Sequence, residues 1–221
     1  PAPIMEINVM IKLDIMSDPI CPWCYIGKTQ LDKALATHSN HPFTIEWHPF
    51  QLNPNMPYEG MDRRDYLERK FGGKAAAVKI YGDIERQAQA LNLPIDFAAM
   101  QRTPNTINAH RLIHWAGLEQ KQEAVVDGLF EAYFCNGIDI GDPQALCDLA
   151  ERSGLERGVI VRLLEGDSDI KMTQDRDAHS RKMGVTSVPT FIVANQHAVP
   201  GAQPPGVWAS IIAELQSKIT D

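Results

Sequence analysis

At 221 residues, 44% of them hydrophobic and 22% charged, the chain is long enough to bury a core without disulfide support. A formal charge of −7 lacks the basic face that nucleic acid or an anionic bilayer demands, and no apolar run approaches the ~20 residues of a membrane span, so neither partner is expected. The four cysteines are too few for a disulfide-stapled secreted scaffold, and Pro1–Glu6 has neither a basic n-region nor an apolar h-region; the expectation is a cytoplasmic chain without a signal peptide.

Lys12 to Met16 reads as a buried strand with Asp14 at its middle, and Cys21 to about His38 as a helix carrying Ile26, Leu31 and Leu35 at helical spacing. Between them lies Ser-Asp-Pro-Ile-Cys-Pro-Trp-Cys-Tyr, Ser17 to Tyr25, giving the order strand, turn, Cys-x-x-Cys, helix. Placed there, Cys21 meets the unpaired N–H groups and positive dipole end of a helix, which favour thiolate over thiol. Cys21 is therefore the predicted nucleophile and Cys24, one turn further in, the resolving thiol. Pro22 falls in the first turn, where its missing N–H costs nothing.

Phe43 to Trp47 alternates apolar and polar residues and completes β-α-β, which predicts a parallel pair. Pro49, Pro54 and Pro57, with Asn53, Asn55 and Gly60, mark an exit loop. Helix-length segments follow at Asp62–Phe71, Gly73–Leu91, Asn105–Gly117, Gln120–Phe134, Pro143–Ser153, Leu155–Leu164 and Asp167–Met183, with Met100 and Met183 read as core. Val185 to Val193 is strand-like, His197 to Val199 can pair back on it as a hairpin, and Val207 to Ile219 closes the chain as an amphipathic helix.

This order, with Cys21-Pro22-Trp23-Cys24 and Ser187-Val188-Pro189-Thr190, resembles the DsbA-like thioredoxin-fold proteins, most closely their FrnE-like branch. The branch resemblance rests on Trp47 to Pro54, Asn105 to Leu112, Leu129 to Phe134 and Pro200 to Gln203, and it spans nearly the whole chain. It implies an α/β thioredoxin fold, residues 10–58 and 184–221, with a large all-helical domain, residues 59–183, inserted between the second and third strands. It implies thiol–disulfide oxidoreductase activity through the Cys21–Cys24 pair on protein or peptide disulfides, with no tightly bound cofactor and with glutathione as a candidate co-substrate. In the family the proline matching Pro189 is cis and lies against the nucleophilic sulfur, and the residue matching Val188 offers its backbone to an extended substrate. Trp23 departs from DsbA itself, where a histidine at that position helps stabilise the thiolate.

A related reading is a glutathione-dependent enzyme like the 2-hydroxychromene-2-carboxylate isomerases and kappa-class glutathione transferases, with Asn53 and the Val188 backbone holding the peptide. Those enzymes carry a serine-type motif without a resolving cysteine, and Ala202-Gln203 stands where they hold a charged glutathione-contacting pair. Asp14 is a proton-relay candidate for Cys24, as a buried acid is in DsbA relatives, since an apolar setting raises a carboxyl pKa; the other reading is a solvated acid beside Lys12. His110 and His114 share a helix face but have no third ligand at matching spacing, and Cys135 and Cys147 do not form a second Cys-x-x-Cys, so no metal is expected. The oligomeric state is left open.

Overall fold

The computed structural model describes residues 10–220, so the reading of Pro1–Glu6 lies outside the described residues. In chain order the elements are β1 (Ile11–Ser17), α1 (Pro22–Thr37), β2 (Phe43–Pro49), β3 (Met61–Asp62), α2 (Arg63–Phe71), α3 (Lys74–Ala90), β4 (Arg102–Thr103), α4 (Ile107–Leu118) and α5 (Gln122–Phe130). After α5 come a π-helical turn (Glu131–Cys135), α6 (Pro143–Arg152), α7 (Arg157–Glu165), α8 (Ile170–Lys182), β5 (Thr190–Val193), β6 (His197–Pro200) and α9 (Pro205–Thr220).

β1 pairs parallel with β2, from Ile11 against Phe43 to Ser17 against Pro49, and antiparallel with β5 on its other side. β6 then pairs antiparallel with β5, giving the order β2-β1-β5-β6. Side chains alternate across a strand. Leu13, Ile15 and Ser17 therefore share one face of β1, and Lys12, Asp14 and Met16 the other. On the first face, Phe191 meets Trp208 of α9 edge-on with ring centroids 4.7 Å apart, and Leu13, Ile15, Trp208 and Ile212 are fully enclosed. Burying each such side chain contributes about 1.5–3 kcal/mol.

The segment between β2 and β5 is mainly helical, as expected, but not wholly so. Met61 pairs with Thr103 and Asp62 with Arg102 in a two-residue antiparallel ladder, too short for side-chain alternation to betray it. Two polar devices fasten this segment. The Gln122 side chain accepts the Trp47 N–H at 2.8 Å and donates to the Trp47 carbonyl at 3.2 Å, replacing a strand partner along the open edge of β2. Arg111, 1% exposed, donates to the carbonyls of Leu163, Gly166 and Ser168 and stacks on Trp115, tying down the chain between α7 and α8.

Three further expectations are corrected. The strand predicted from Val185 begins only at Thr190, because Pro189 has no N–H to offer a ladder and Thr190 Oγ1 turns back to donate to the Ser187 carbonyl at 2.8 Å. The helix predicted over Gln120–Phe134 starts at Gln122, since Gln120 has φ +58°, and its last turn widens to a π-turn. Met183, read as core, is 51% exposed at the end of α8, whereas Met100 is buried.

Candidate active site

Cys21 is the N-cap of α1, with extended backbone (φ −87°, ψ 114°), and Pro22 opens the helix. Its N–H donates to the Asp18 carbonyl at 2.9 Å, and its own carbonyl accepts Cys24 N–H at 3.0 Å and Tyr25 N–H at 3.3 Å. These bonds fold Asp18 to Tyr25 into a tight turn that carries both sulfurs. The Cys21 thiol donates to the Val188 carbonyl at 3.7 Å, so residues 167 positions apart in sequence meet at the reactive group. The Val188–Pro189 peptide bond is cis.

Both thiols are free, and both are more enclosed than the motif alone suggests: Cys21 is 4% exposed and Cys24 1%, whereas Trp23 between them is 37% exposed. Burial pushes the Cys24 thiol well up, and the Cys21 sulfur adds to this against hydrogen bonds from the Ser17 side chain and the Asp18 backbone. Cys24 therefore stays protonated until a reaction calls on it. A neutral, recessed thiol beside a second one at a helix start is suited to the second step of an exchange.

Asp14 does not have the raised pKa on which the relay idea rested. Burial alone would raise it, but His48 Nε2–H at 2.5 Å and Lys12 at 2.9 Å prevail and hold the carboxyl below its ordinary value. It also points to the face of β1 opposite Ser17, hence away from Cys24. It is 5% exposed and paired, so neither a neutral relay nor a solvated acid describes it. Asn53 is held by the Tyr66 hydroxyl, which donates to Oδ1 at 3.1 Å; its Nδ2 is buried without a partner among the described residues, and no contact joins it to Cys21.

Asp14, Glu46 and His48 do bring three ligand-type atoms within 4.8 Å of one another. Two side-chain cations already serve this cluster. Lys12 Nζ lies 2.9 Å from Asp14 and 3.0 Å from Glu46, and Arg176 donates to Glu46 at 2.9 Å and to His48 Nδ1 at 2.8 Å. Arginine can only donate, so His48 Nδ1 is the acceptor and Nε2 carries the proton aimed at Asp14. The imidazole is thereby locked in a tautomer that cannot ligate through Nε2. His114 Nδ1 meets Arg176 at 3.4 Å and His110 Nε2 lies 3.6 Å from Asp18 Oδ1, so the two histidines have different partners. Cys135 lies against Pro94 and Tyr25, and Cys147 is buried in α6, each unpaired.

Two groups escaped the sequence reading. Asp18, in the turn before Cys21, is completely enclosed. Lys28, one turn beyond Cys24, is 4% exposed and lies 2.7 Å from Asp32, 3.2 Å from Glu123 and 2.7 Å from Asp127. Burial works against its charge, but the three carboxylates together outweigh it and hold the ammonium above its ordinary range. A lysine inside an apolar helical pattern was the available signal for this bolt between α1 and α5. Neither Cys21 nor Cys24 lines the cavity of about 560 Å³ between α2 and α3 or that of about 710 Å³ between α8 and the back of β1.

A four-stranded mixed sheet, a Cys-x-x-Cys at the head of its first helix and a proline-led strand facing the first sulfur define the thioredoxin class of fold. Within that class the chain belongs to the DsbA-like thioredoxin domain family, whose model matches residues 12–213. It is similar to the probable DsbA oxidoreductase from Streptomyces coelicolor, with 26% identity and a TM-score of 0.83 over 94% of this chain and 90% of that one. A 2-hydroxychromene-2-carboxylate isomerase superposes at 17% identity and TM-score 0.73 over 95% of this chain and 98% of that one. The cytosolic disulfide reductase DsbM from Pseudomonas aeruginosa, solved with glutathione, does so at 16% identity and TM-score 0.65 over 94% and 99%. The last two likenesses establish the fold alone.

Proposed function

We propose that the protein is a dithiol–disulfide oxidoreductase acting through Cys21 and Cys24 on protein or peptide disulfides. The observation that carries this reading is the placement of Cys21 at the head of α1, its Sγ 3.7 Å from the Val188 carbonyl, with Cys24 one turn behind it. The Cys21 thiolate attacks one sulfur of a substrate disulfide; a Cys21–substrate bond forms, the substrate S–S bond breaks, and the other substrate thiolate leaves. Cys24 then gives up its proton and attacks Cys21 Sγ, releasing the second substrate thiolate. The substrate gains two electrons and the Cys21–Cys24 pair becomes a disulfide, which an external thiol of the glutathione type reduces in turn. The cycle runs backwards when the substrate is the better reductant.

The Val188 backbone and the cis Pro189 form one wall of the peptide groove, and Asn53 contributes at its margin. A reducing, cytoplasmic setting suits such a cycle. Glutathione-dependent isomerisation is the competing chemistry, favoured by the fold shared with the isomerase. It has no use for a second thiol, and Cys24 is present and placed to resolve. The deciding experiment is insulin reduction by wild type and by Cys24→Ser, beside glutathione conjugation. The expected result is insulin reduction that is lost in Cys24→Ser; glutathione turnover unchanged by that substitution would instead favour the isomerase-type reaction.

A further inference from the structure

The cavity of about 560 Å³ between α2 and α3 has no thiol in its walls and no part in the exchange reaction. Its size is that of a small-molecule site, and such sites are mainly apolar with a few placed polar groups. Tyr81, Phe97, Met100 and Ala77 supply apolar surface, with Tyr81 and Phe97 meeting edge-on at 4.9 Å between ring centroids. Val78 also lines the cavity and is 63% exposed, so an apolar side chain stands at its open side.

Arg63 lines the same cavity and is only 7% exposed. It stands at the head of α2, where its N–H donates to the Gln101 carbonyl at 3.0 Å. Its guanidinium carbon lies 5.1 Å from the centroid of the Tyr81 ring, and Nη1 donates to the Tyr133 hydroxyl at 3.0 Å. Among the described residues no carboxylate comes within ion-pair distance of it. The two phenols do not supply the missing charge: burial raises both, Tyr133 to about 12, against the pull of Arg63, so each is neutral near pH 7. Arginine is rarely buried unless paired. Asp62 and Glu68 also line the cavity, but Asp62 caps α2, its Oδ1 accepting Asp65 N–H at 3.1 Å, and Glu68 is exposed. Arg64 and Lys74, exposed in the same wall, offset these two acids and leave the buried charge of Arg63 uncompensated.

We propose that this cavity binds a small apolar monocarboxylate: the head group pairs with the Arg63 guanidinium, and the body lies against Tyr81, Phe97 and Met100. A guanidinium carries five N–H groups in a fork that meets a carboxylate with two parallel bonds, and two hydroxyls cannot occupy them all. One buried cation among apolar walls matches one negative charge on an apolar body, whereas a phosphate dianion would bury a second charge with no cation to meet it. Neither Cys21 nor Cys24 lines the cavity, so the acid is a ligand rather than a partner in exchange, and the site stands whether or not the thiols react as described.

The test is calorimetric titration of the full chain with octanoate and phenylbutyrate, and with octanol and phenylbutanol as uncharged controls. At least one acid is expected to saturate a single site and to bind about tenfold or more tightly than its alcohol. Arg63→Met should abolish that preference and Arg63→Lys should keep part of it; the Tm of each is measured, because Arg63 also holds Tyr133. Val78 is exposed on α3 and tolerates substitution at little cost to folding. Val78→Glu should weaken the acid about threefold or more, Val78→Lys should not, and the alcohols should change little with either. The Cys21→Ser/Cys24→Ser variant should bind the acid as wild type does. No saturable binding of either acid, an alcohol as tight as its acid, or acid binding that ignores Arg63→Met overturns the site. Should Arg63→Met not fold, equal acid affinities for Val78→Glu and Val78→Lys overturn it. Loss of binding in the cysteine variant would put the acid in the thiol groove and overturn it as well.

Discussion

Gly27 of α1 lies directly against Pro189: a Cβ on Gly27 would stand 2.9 Å from Pro189 Cγ, with Ala202 Cα and Phe191 Cζ each at 3.5 Å. The helix that presents the cysteines thus touches the segment that faces them, and only a residue without a side chain permits it. A proline ring cannot swing aside as a long side chain would. Gly27→Ala must push α1 away from the Pro189 wall, and overpacking of this kind costs about 1–3 kcal/mol. The expected outcome is a lowered Tm together with slower disulfide exchange; full stability and unchanged exchange would show that the two elements slide freely.

The order of reactivity of the two thiols follows from their surroundings. Cys24 is more deeply enclosed and its thiol is pushed well up, whereas Cys21 lies at the helix N-terminus. Alkylation near neutral pH should modify Cys21 before Cys24, and Cys24→Ser should accumulate mixed disulfides through Cys21. Mass mapping of the alkylated peptides checks the first and non-reducing gels the second. Preferential labelling of Cys24 would reverse the assigned roles.

The polar cluster behind the sheet gives a pH dependence whose sign can be worked out. Asp14 is held below its ordinary value of 3.8, so its stabilisation is present above that value and is lost as pH falls through its folded-state pKa. Lys12 is raised above 10.5 despite some burial, by hydrogen bonds and charge from Asp14 and Glu46; its contribution is present below that value and is lost as pH rises past it. Urea unfolding across the acid range should show stability falling below about pH 4 in wild type. Asp14→Asn should flatten that limb while leaving His48 a side-chain oxygen to bond. An unchanged acid limb in Asp14→Asn would move the effect to other carboxylates.

Lys28→Met removes the bolt between α1 and α5 but keeps much of the stem packing. The three carboxylates left behind are 46–60% exposed and can rehydrate, so the loss is far below that of a fully buried pair. A destabilisation of about 1 kcal/mol is expected, partly recovered at ~1 M salt, where repulsion among the carboxylates is screened. A loss that does not respond to salt would mean that Lys28 acts by packing.

The parts of this architecture that repeat along the chain were legible in the sequence. The alternation of Phe43 to Trp47, the helical spacing of Ile26 and Leu31, and the two cysteines between strand and helix each announce themselves within a few residues. What stayed hidden depends on contacts made far away in sequence. Asp14 looks like a lone acid in an apolar strand until His48, its neighbour across the strand pair, and Arg176 on α8 are brought beside it. His110 reads from the sequence only as one of two histidines on a helix face, because its buried neighbour, Asp18, lies in another element. The ladder of Met61–Asp62 with Arg102–Thr103 is too short to show a period, and Met183 sits at a helix end where spacing no longer decides burial.

The direction of electron flow is the most consequential expectation. A strongly oxidising Cys-x-x-Cys owes its potential to a stabilised thiolate in the reduced form, which demands positive or donor groups around the nucleophilic sulfur. Between the cysteines this chain places Pro22 and Trp23; Pro22 has no N–H to give, and Trp23 carries no charge and is 37% exposed. Cys21 Sγ faces the Val188 carbonyl oxygen, an acceptor rather than a cation or N–H donor. Neither intervening residue supplies a positive charge to the pair, and a pair without one is expected to be less oxidising than a strongly oxidising Cys-x-x-Cys. The pair should lie well below the ~−120 mV of a strong oxidant and toward the ~−270 mV of thioredoxin. Equilibration with glutathione buffers of known ratio, read by mass after acid quenching, measures it; a value above about −150 mV would overturn the reductase direction.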